Sequence, residues 1–159
     1  MNRFYPDNAF HMFDRLVEQP YCLFQINTPH PEKIYQRLVR YQDFSSRAIY
    51  AWKSGQGLYR TNLPDIFAPN TGNLINALLH ATLSNHFGLY LFTDIGKALH
   101  SPRAIEIINS LTSKNFSHKK VLIFAEKSPD IPPQITQHFI SIGHIISYLE
   151  NTERDKLAG

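Results

Sequence analysis

The sequence predicts an α/β fold of three α/β/α layers around a five-stranded parallel sheet. Three observations carry that expectation. Short apolar runs alternate with segments of helical periodicity along the 159 residues, which implies right-handed crossovers and a parallel sheet between helical layers. Two of the runs, "LYLF" (89–92) and "VLIFA" (121–125), are apolar at every position, as strands covered on both faces are, and belong near the sheet centre. The length suits one domain, and 43% apolar against 18% charged residues allows a packed core. A single domain over residues 1–150 is expected, with a helical extension over 1–19 and a polar tail over 151–159.

The elements follow in order. Phe10, Phe13, Leu16 and Val17 recur at helical spacing, with Asn8 placed to cap this helix and Pro20 to end it. "YCLFQIN" is the first strand. In "TPHPEKIYQRLVRYQDF", Pro31 suits a first helical turn, Glu32 suits the positive helix end, and Ile34, Leu38 and Val39 form one stripe. "AIYAW" (48–52) is a second strand, and the turn-rich "KSGQGLYRTNLPDIFAPNTG" reads as a loop. "NLINALLHATLSN" is a helix with Leu74, Ile75, Leu78, Leu79 and Leu83 along one face. "LYLF" is the third strand. A helix then begins at Ser101-Pro102, cap and first position, and buries Ile105, Ile108 and Leu111. "VLIFA" is the fourth strand, "PPQITQHF" one or two helical turns, and "ISIGHII" the fifth strand.

Several function classes are excluded on composition. No apolar run approaches the ~20 residues of a membrane span, and "MNRFYPDNAF" lacks the apolar stretch of an export signal. Cys22, the only cysteine, lies in an apolar run and reads as core. These features fit a cytoplasmic protein. The histidine pairs His80/His86 and His138/His144 match no common zinc spacing, so no metal is expected. No G-x-S-x-G elbow supports a hydrolase triad. A net charge of +3 does not by itself call for nucleic acid. The densest basic patch, Lys114 to Lys120 in "SKNFSHKK", is either a solvated helix end or a contact for an anionic partner.

In open parallel sheets ligands sit at the carboxyl ends of the strands. That directs attention to Thr28 and Lys33 after the first strand, Asp94 and Lys97 after the third, and Ser128 after the fourth. "NTPHPEK" has no glycine and two prolines that remove N–H donors, so the usual phosphate cradle cannot form there. Gly96-Lys97 superficially matches the cradle motif, but Leu91 and Ala98 stand where its glycine and hydroxyl belong. Asp94 is either a turn residue accepting backbone N–H bonds or a ligand contact. Glu126 would repel phosphate and is expected in a salt bridge or in solvent. Trp52, Leu58, Tyr59, Ile66 and Phe67 surround the long loop. They either form an aromatic docking surface or fold back over the sheet edge.

"FDRLVEQPYCLFQINTPHPEKIYQRL", "AIYAWKSGQGL", "LYLFTDIGKALHSPRAIEIINSL" and "KKVLIFAEKSPDIPPQI", in that order, resemble the N-terminal half of a bacterial and plastid AAA ATPase family, first named as a hypothetical chloroplast reading frame. The resemblance spans about residues 10 to 147. In that family the N-terminal half looks like a decayed AAA module preceding an intact one. The resemblance implies a P-loop NTPase-like strand order, 5-1-4-3-2, and puts Asp94 at the Walker B carboxylate position. No Walker A residue carries over. The sequence also departs from the family in carrying no active ATPase module, so it is either free-standing or one part of a longer protein.

Three functions compete. The first is a non-catalytic module that binds another protein, such as an AAA ATPase. The second is a nucleotide binder or weak NTPase with an atypical phosphate site, needing Asp94 to converge with Lys97 or Lys33. The third is a nucleic-acid binder through the Lys114–Lys120 patch. The first is favoured, without enzymatic activity, cofactor or membrane association.

Overall fold

The computed structural model describes residues 9–113 and 118–142. In chain order the elements are α1 (Ala9–Glu18), β1 (Leu23–Asn27), α2 (Pro31–Phe44), β2 (Ile49–Lys53), β3 (Gly57–Arg60), α3 (Leu74–Leu83), β4 (Gly88–Phe92), α4 (Pro102–Ser113), β5 (Lys120–Glu126) and β6 (Ile140–Ser141). Single 3-10 turns cover Ala98–His100 and Thr136–His138. The polar tail, Asn8, His144 and Lys114 lie outside the described residues, as does all of "ISIGHII" beyond Ile142.

The sheet has six strands in the order β3-β2-β4-β5-β1-β6. The pairings are parallel except β2 with β3, which is antiparallel. The expected five-stranded, wholly parallel sheet is thereby corrected. The missed strand, β3, lies inside the stretch read as loop. Gly55 at φ 82° and Gly57 at φ 132° reverse the chain, conformations that glycine adopts without a Cβ penalty. "LYR" then pairs back on β2, with Trp52 opposite Leu58 and Ala51 opposite Tyr59. The glycines that suggested a loop are the turn of a hairpin.

β4 and β5 occupy the middle of the sheet, and their side chains alternate between two cores as the two-residue period requires. Leu89, Leu91, Val121, Ile123 and Ala125 face α1 and α2, where they meet Phe13, Leu16, Val17, Ile34, Leu38 and Tyr41. Tyr90, Phe92, Leu122 and Phe124 face α3 and α4, where they meet Leu74, Leu78, Ala104, Ile108 and Leu111. Phe92 stacks on Phe124 at 5.0 Å between centroids.

The helix ends follow their local chemistry. Pro31 opens α2. The Asn73 side chain accepts the Asn76 N–H at 2.8 Å and caps α3. Ser101 Oγ accepts the Ala104 N–H at 3.1 Å and caps α4, satisfying donors that a helix leaves open. Tyr41 joins α1 to α2: its ring packs on Phe13, its hydroxyl donates to the Asp14 carboxylate, and Arg47 Nε donates to that hydroxyl at 3.3 Å. Burial, reinforced by Asp14, pushes the Tyr41 phenol up to about 12.

Lys120 belongs to the sheet and not to an open basic patch. It is buried, and its ammonium donates to the carbonyls of Ser84 and of His86, the latter at 2.7 Å. These carbonyls follow the end of α3, where a cation is favoured. Desolvation pulls its pKa down. The ammonium is thus committed to holding the α3–β4 turn.

Candidate functional site

The carboxyl ends of β1, β4 and β5 meet where a parallel sheet places its ligands. Hydrogen bonds within the protein interlock the junctions there. The Thr28 N–H donates to the Glu126 carbonyl at 3.1 Å. Thr28 Oγ1 accepts the His30 N–H at 2.9 Å. The Ser128 N–H donates to Asn27 Oδ1 at 2.8 Å. Glu126 Oε1 accepts the Ile95 N–H at 2.7 Å. Three residues of these junctions lie in the left-handed region: Asp94 at φ 55° and Gly96 at φ 54° after β4, and Ser128 at φ 51° after β5. Non-glycine residues hold that conformation only where the surroundings enforce it, and Asp is among those that tolerate it.

The left-handed turn at Asp94 gathers backbone N–H groups as an anion-binding nest would. The Glu126 carboxylate fills that role. Desolvation raises the Glu126 pKa, the Ile95 N–H opposes the rise, and the negative charges of Asp94 and Asp130 add to it. The expectation of a salt bridge or free solvation for Glu126 missed this contact. The bond links residues 31 positions apart, a distance at which no local motif signals it. Asp130 in turn meets His100 Nε2 at 2.6 Å, tying the loop after β5 to the 3-10 turn before α4.

A raised carboxylate pKa has a definite sign in folding. The folded state holds the Glu126 proton better than the unfolded chain, so this contribution is fully present below the ordinary value of 4.5. It is lost as pH rises through the raised folded value. Glu126→Gln keeps an oxygen for the Ile95 N–H and removes the charge. The variant is expected to melt at or above the parent at pH 7, with the gap closing toward pH 4. Melting curves across that range check it; a parent that melts higher at pH 7 would reverse the assignment.

Beside these junctions lies a cleft of about 450 Å³. The first turn of α2 supplies Pro31, Glu32 and Tyr35, the end of β2 supplies Trp52, Lys53 and Ser54, β3 supplies Tyr59, and the end of β4 supplies Thr93 and Asp94. Tyr35 and Tyr59 lie 6.5 Å apart between ring centroids. Burial, with the Tyr35 hydroxyl next in size, raises the Tyr59 pKa.

The cleft brings together Asp94 and Tyr59, which sequence reasoning had assigned to two separate surfaces. Of the other ligand candidates, Thr28 is buried and held by its turn, while Lys97 and Ser128 are exposed. Lys33 is half-buried in the first turn of α2. Neither Thr28, Lys33, Lys97 nor Ser128 lines the cleft. Of the aromatic candidates, Trp52 and Leu58 are core residues, and the Trp52 indole N–H donates to the Thr71 carbonyl at 2.8 Å. Tyr59 and Phe67 are half-buried and pack edge to face at 5.5 Å. Ile66 is 64% exposed. Sequence reasoning missed Glu32 and Tyr35 as cleft residues, since both fit an ordinary helix.

Comparison with known families decides the relationship. The family described as SpoVK-like AAA ATPase, N-terminal domain, matches residues 10–144. The chain belongs to that family. No curated protein and no solved structure matches it. In this AAA ATPase N-terminal domain, Asp94 follows the central strand β4 by two residues and Glu126 ends its neighbour β5. Among the described residues, no helix is long and apolar enough to cross a membrane, and no cluster of three or more His, Cys, Asp or Glu side chains could hold a metal ion.

Proposed function

We propose that this N-terminal domain is a non-catalytic interaction or regulatory module, a decayed AAA unit that binds another protein, such as an AAA ATPase, in the cytoplasm. The observation that carries the reading is the Glu126 carboxylate on the Ile95 N–H at 2.7 Å. It occupies a backbone donor at the carboxyl end of the sheet, where a parallel α/β fold places its ligands. The β1–α2 junction supports the same reading. Pro29 and Pro31 have no N–H, the His30 N–H is spent on Thr28, and the Lys33 N–H is spent on the His30 carbonyl. Burial of Lys120 removes a cation from the patch on which nucleic-acid binding would rest.

Magnesium–ATP is therefore expected neither to be hydrolysed nor to bind at millimolar or better affinity. A ligand specific to the folded state stabilises it by about 2.7 kcal/mol at a hundredfold excess over its Kd. Thermal melts with and without ATP and magnesium provide the test. A clear rise in melting temperature that Asp94→Ala abolishes would establish the nucleotide-binding reading instead.

A further inference from the structure

We infer that the cleft between the first turn of α2 and the β2–β3 hairpin is a receptor for an arginine side chain, presented by a segment of a partner protein. The inference rests on the interaction-module reading and supplies the chemistry of its partner.

The lining chooses the charge. Glu32 and Asp94 contribute two carboxylates, and Lys53 is the one ammonium among the lining residues. Asp94 is exposed at the mouth of the cleft and Glu32 is exposed on the first turn of α2. An anion would meet both carboxylates and, among the lining side chains, one ammonium, Lys53, and the neutral hydroxyls of Tyr35, Ser54, Tyr59 and Thr93. Pro31, the first residue of α2, has no N–H, and the Ile95 N–H beside Asp94 is held by Glu126. The same surroundings suit a cation.

Shape and aromatic content choose the kind of cation. The volume of about 450 Å³ falls within the range of small-ligand sites, and exceeds what a bare metal ion needs. Tyr35 and Tyr59 line it with rings 6.5 Å apart and tilted 57°. A planar guanidinium stacks on such rings while its fork of N–H groups reaches carboxylates. Lysine offers a point charge without the stacking plane. Arginine is also enriched among residues that dominate protein interfaces. The Asp94 carboxylate stands at the strand end held by the Glu126–Ile95 bond, so it is presented on fixed backbone.

The test uses the whole chain and two probes. N-acetyl-arginine amide and its neutral isostere, N-acetyl-citrulline amide, are titrated while backbone amide resonances are followed by NMR. Asp94→Asn and Glu32→Gln are compared with the parent; Asn is well suited to the left-handed backbone at Asp94, so the fold is retained. The arginine probe is expected to shift resonances around Tyr35, Trp52, Tyr59 and Asp94, with citrulline at least fivefold weaker. Asp94→Asn is expected to weaken binding at least fivefold, and raised salt to weaken it further. Equal response to citrulline, or arginine binding unchanged in Asp94→Asn, overturns the inference. Selection from a displayed random-peptide library separates the two readings. Peptides that carry arginine and lose affinity when it becomes citrulline support the inference. Peptides that bind elsewhere, lack a cation, or prove to be copies of this chain's own segments overturn it and leave the interaction module standing. No selected peptide and no arginine response would count against both.

Discussion

Leu122→Ala is expected to destabilise the domain by about 2–5 kcal/mol, a large part of the ~5–15 kcal/mol that holds an average domain folded. The reason lies in its position. Leu122 is 1% exposed on β5, opposite Tyr90 on β4 and Leu23 on β1. Its neighbours on the same face are Phe92 and Phe124, under α3 and α4. Cutting the side chain back removes transferred apolar surface and leaves a void beneath rings stacked on one another. A hydrogen-bonded sheet has little freedom to collapse into that void. Leu91→Ala makes the matching change on the opposite face, under α1 and α2, and the same range is expected. The two side chains lie on opposite faces of directly paired strands, so the double variant measures how far the sheet couples the two cores. Urea unfolding of the three variants measures this. Losses under about 1 kcal/mol at both sites would mean that β4 and β5 are not closed on both faces.

That prediction was available from the sequence because burial on both faces writes itself as an unbroken apolar run. "LYLF" and "VLIFA" could be placed centrally without coordinates. The cap Ser101 and the helical proline Pro31 were legible for a similar reason: their chemistry acts within three residues. What escaped depends on partners far along the chain. β3 looks like loop because its evidence is pairing with β2 and closure by Thr71, and four residues opened by a glycine carry no pattern of their own. Lys120 reads as one charge in a basic run until the Ser84 and His86 carbonyls, more than 30 residues away, are seen to converge on it. The junction at Asp94 is similar. The aspartate was identified at a strand end, but its surroundings are set by Glu126 from another strand and by tyrosines from α2 and β3. Short-range chemistry fixes elements; the site is made by their meeting.

Gly57→Ala is expected to cost roughly 2–4 kcal/mol, from backbone strain and displaced buried hydrogen bonds, and to open the hairpin wall of the cleft. Gly57 sits at φ 132°, and a Cβ there would lie 2.5 Å from Thr71 Oγ1 and 3.3 Å from the Ala68 carbonyl. Thr71 cannot yield without consequence. It is buried, its hydroxyl accepts the Leu58 N–H at 2.8 Å and donates to the Ala68 carbonyl at 2.7 Å, and its own carbonyl accepts the Trp52 indole N–H. Moving it loosens β3 from the loop that closes over it, and with β3 goes Tyr59. Gly55→Ala supplies the control: its φ is 82°, but nothing lies within 4 Å of the added Cβ. It should therefore show backbone strain alone, about 1 kcal/mol. Trp52 is the single tryptophan, so its fluorescence reports the bond to Thr71 directly. The expected pattern is a red-shifted emission and lowered denaturation midpoint in Gly57→Ala, with a parent-like emission in Gly55→Ala. Equal losses at the two glycines with unchanged emission would mean that Thr71 does not lock the hairpin. Tyr59 would then need another support to stand as a wall of the cleft.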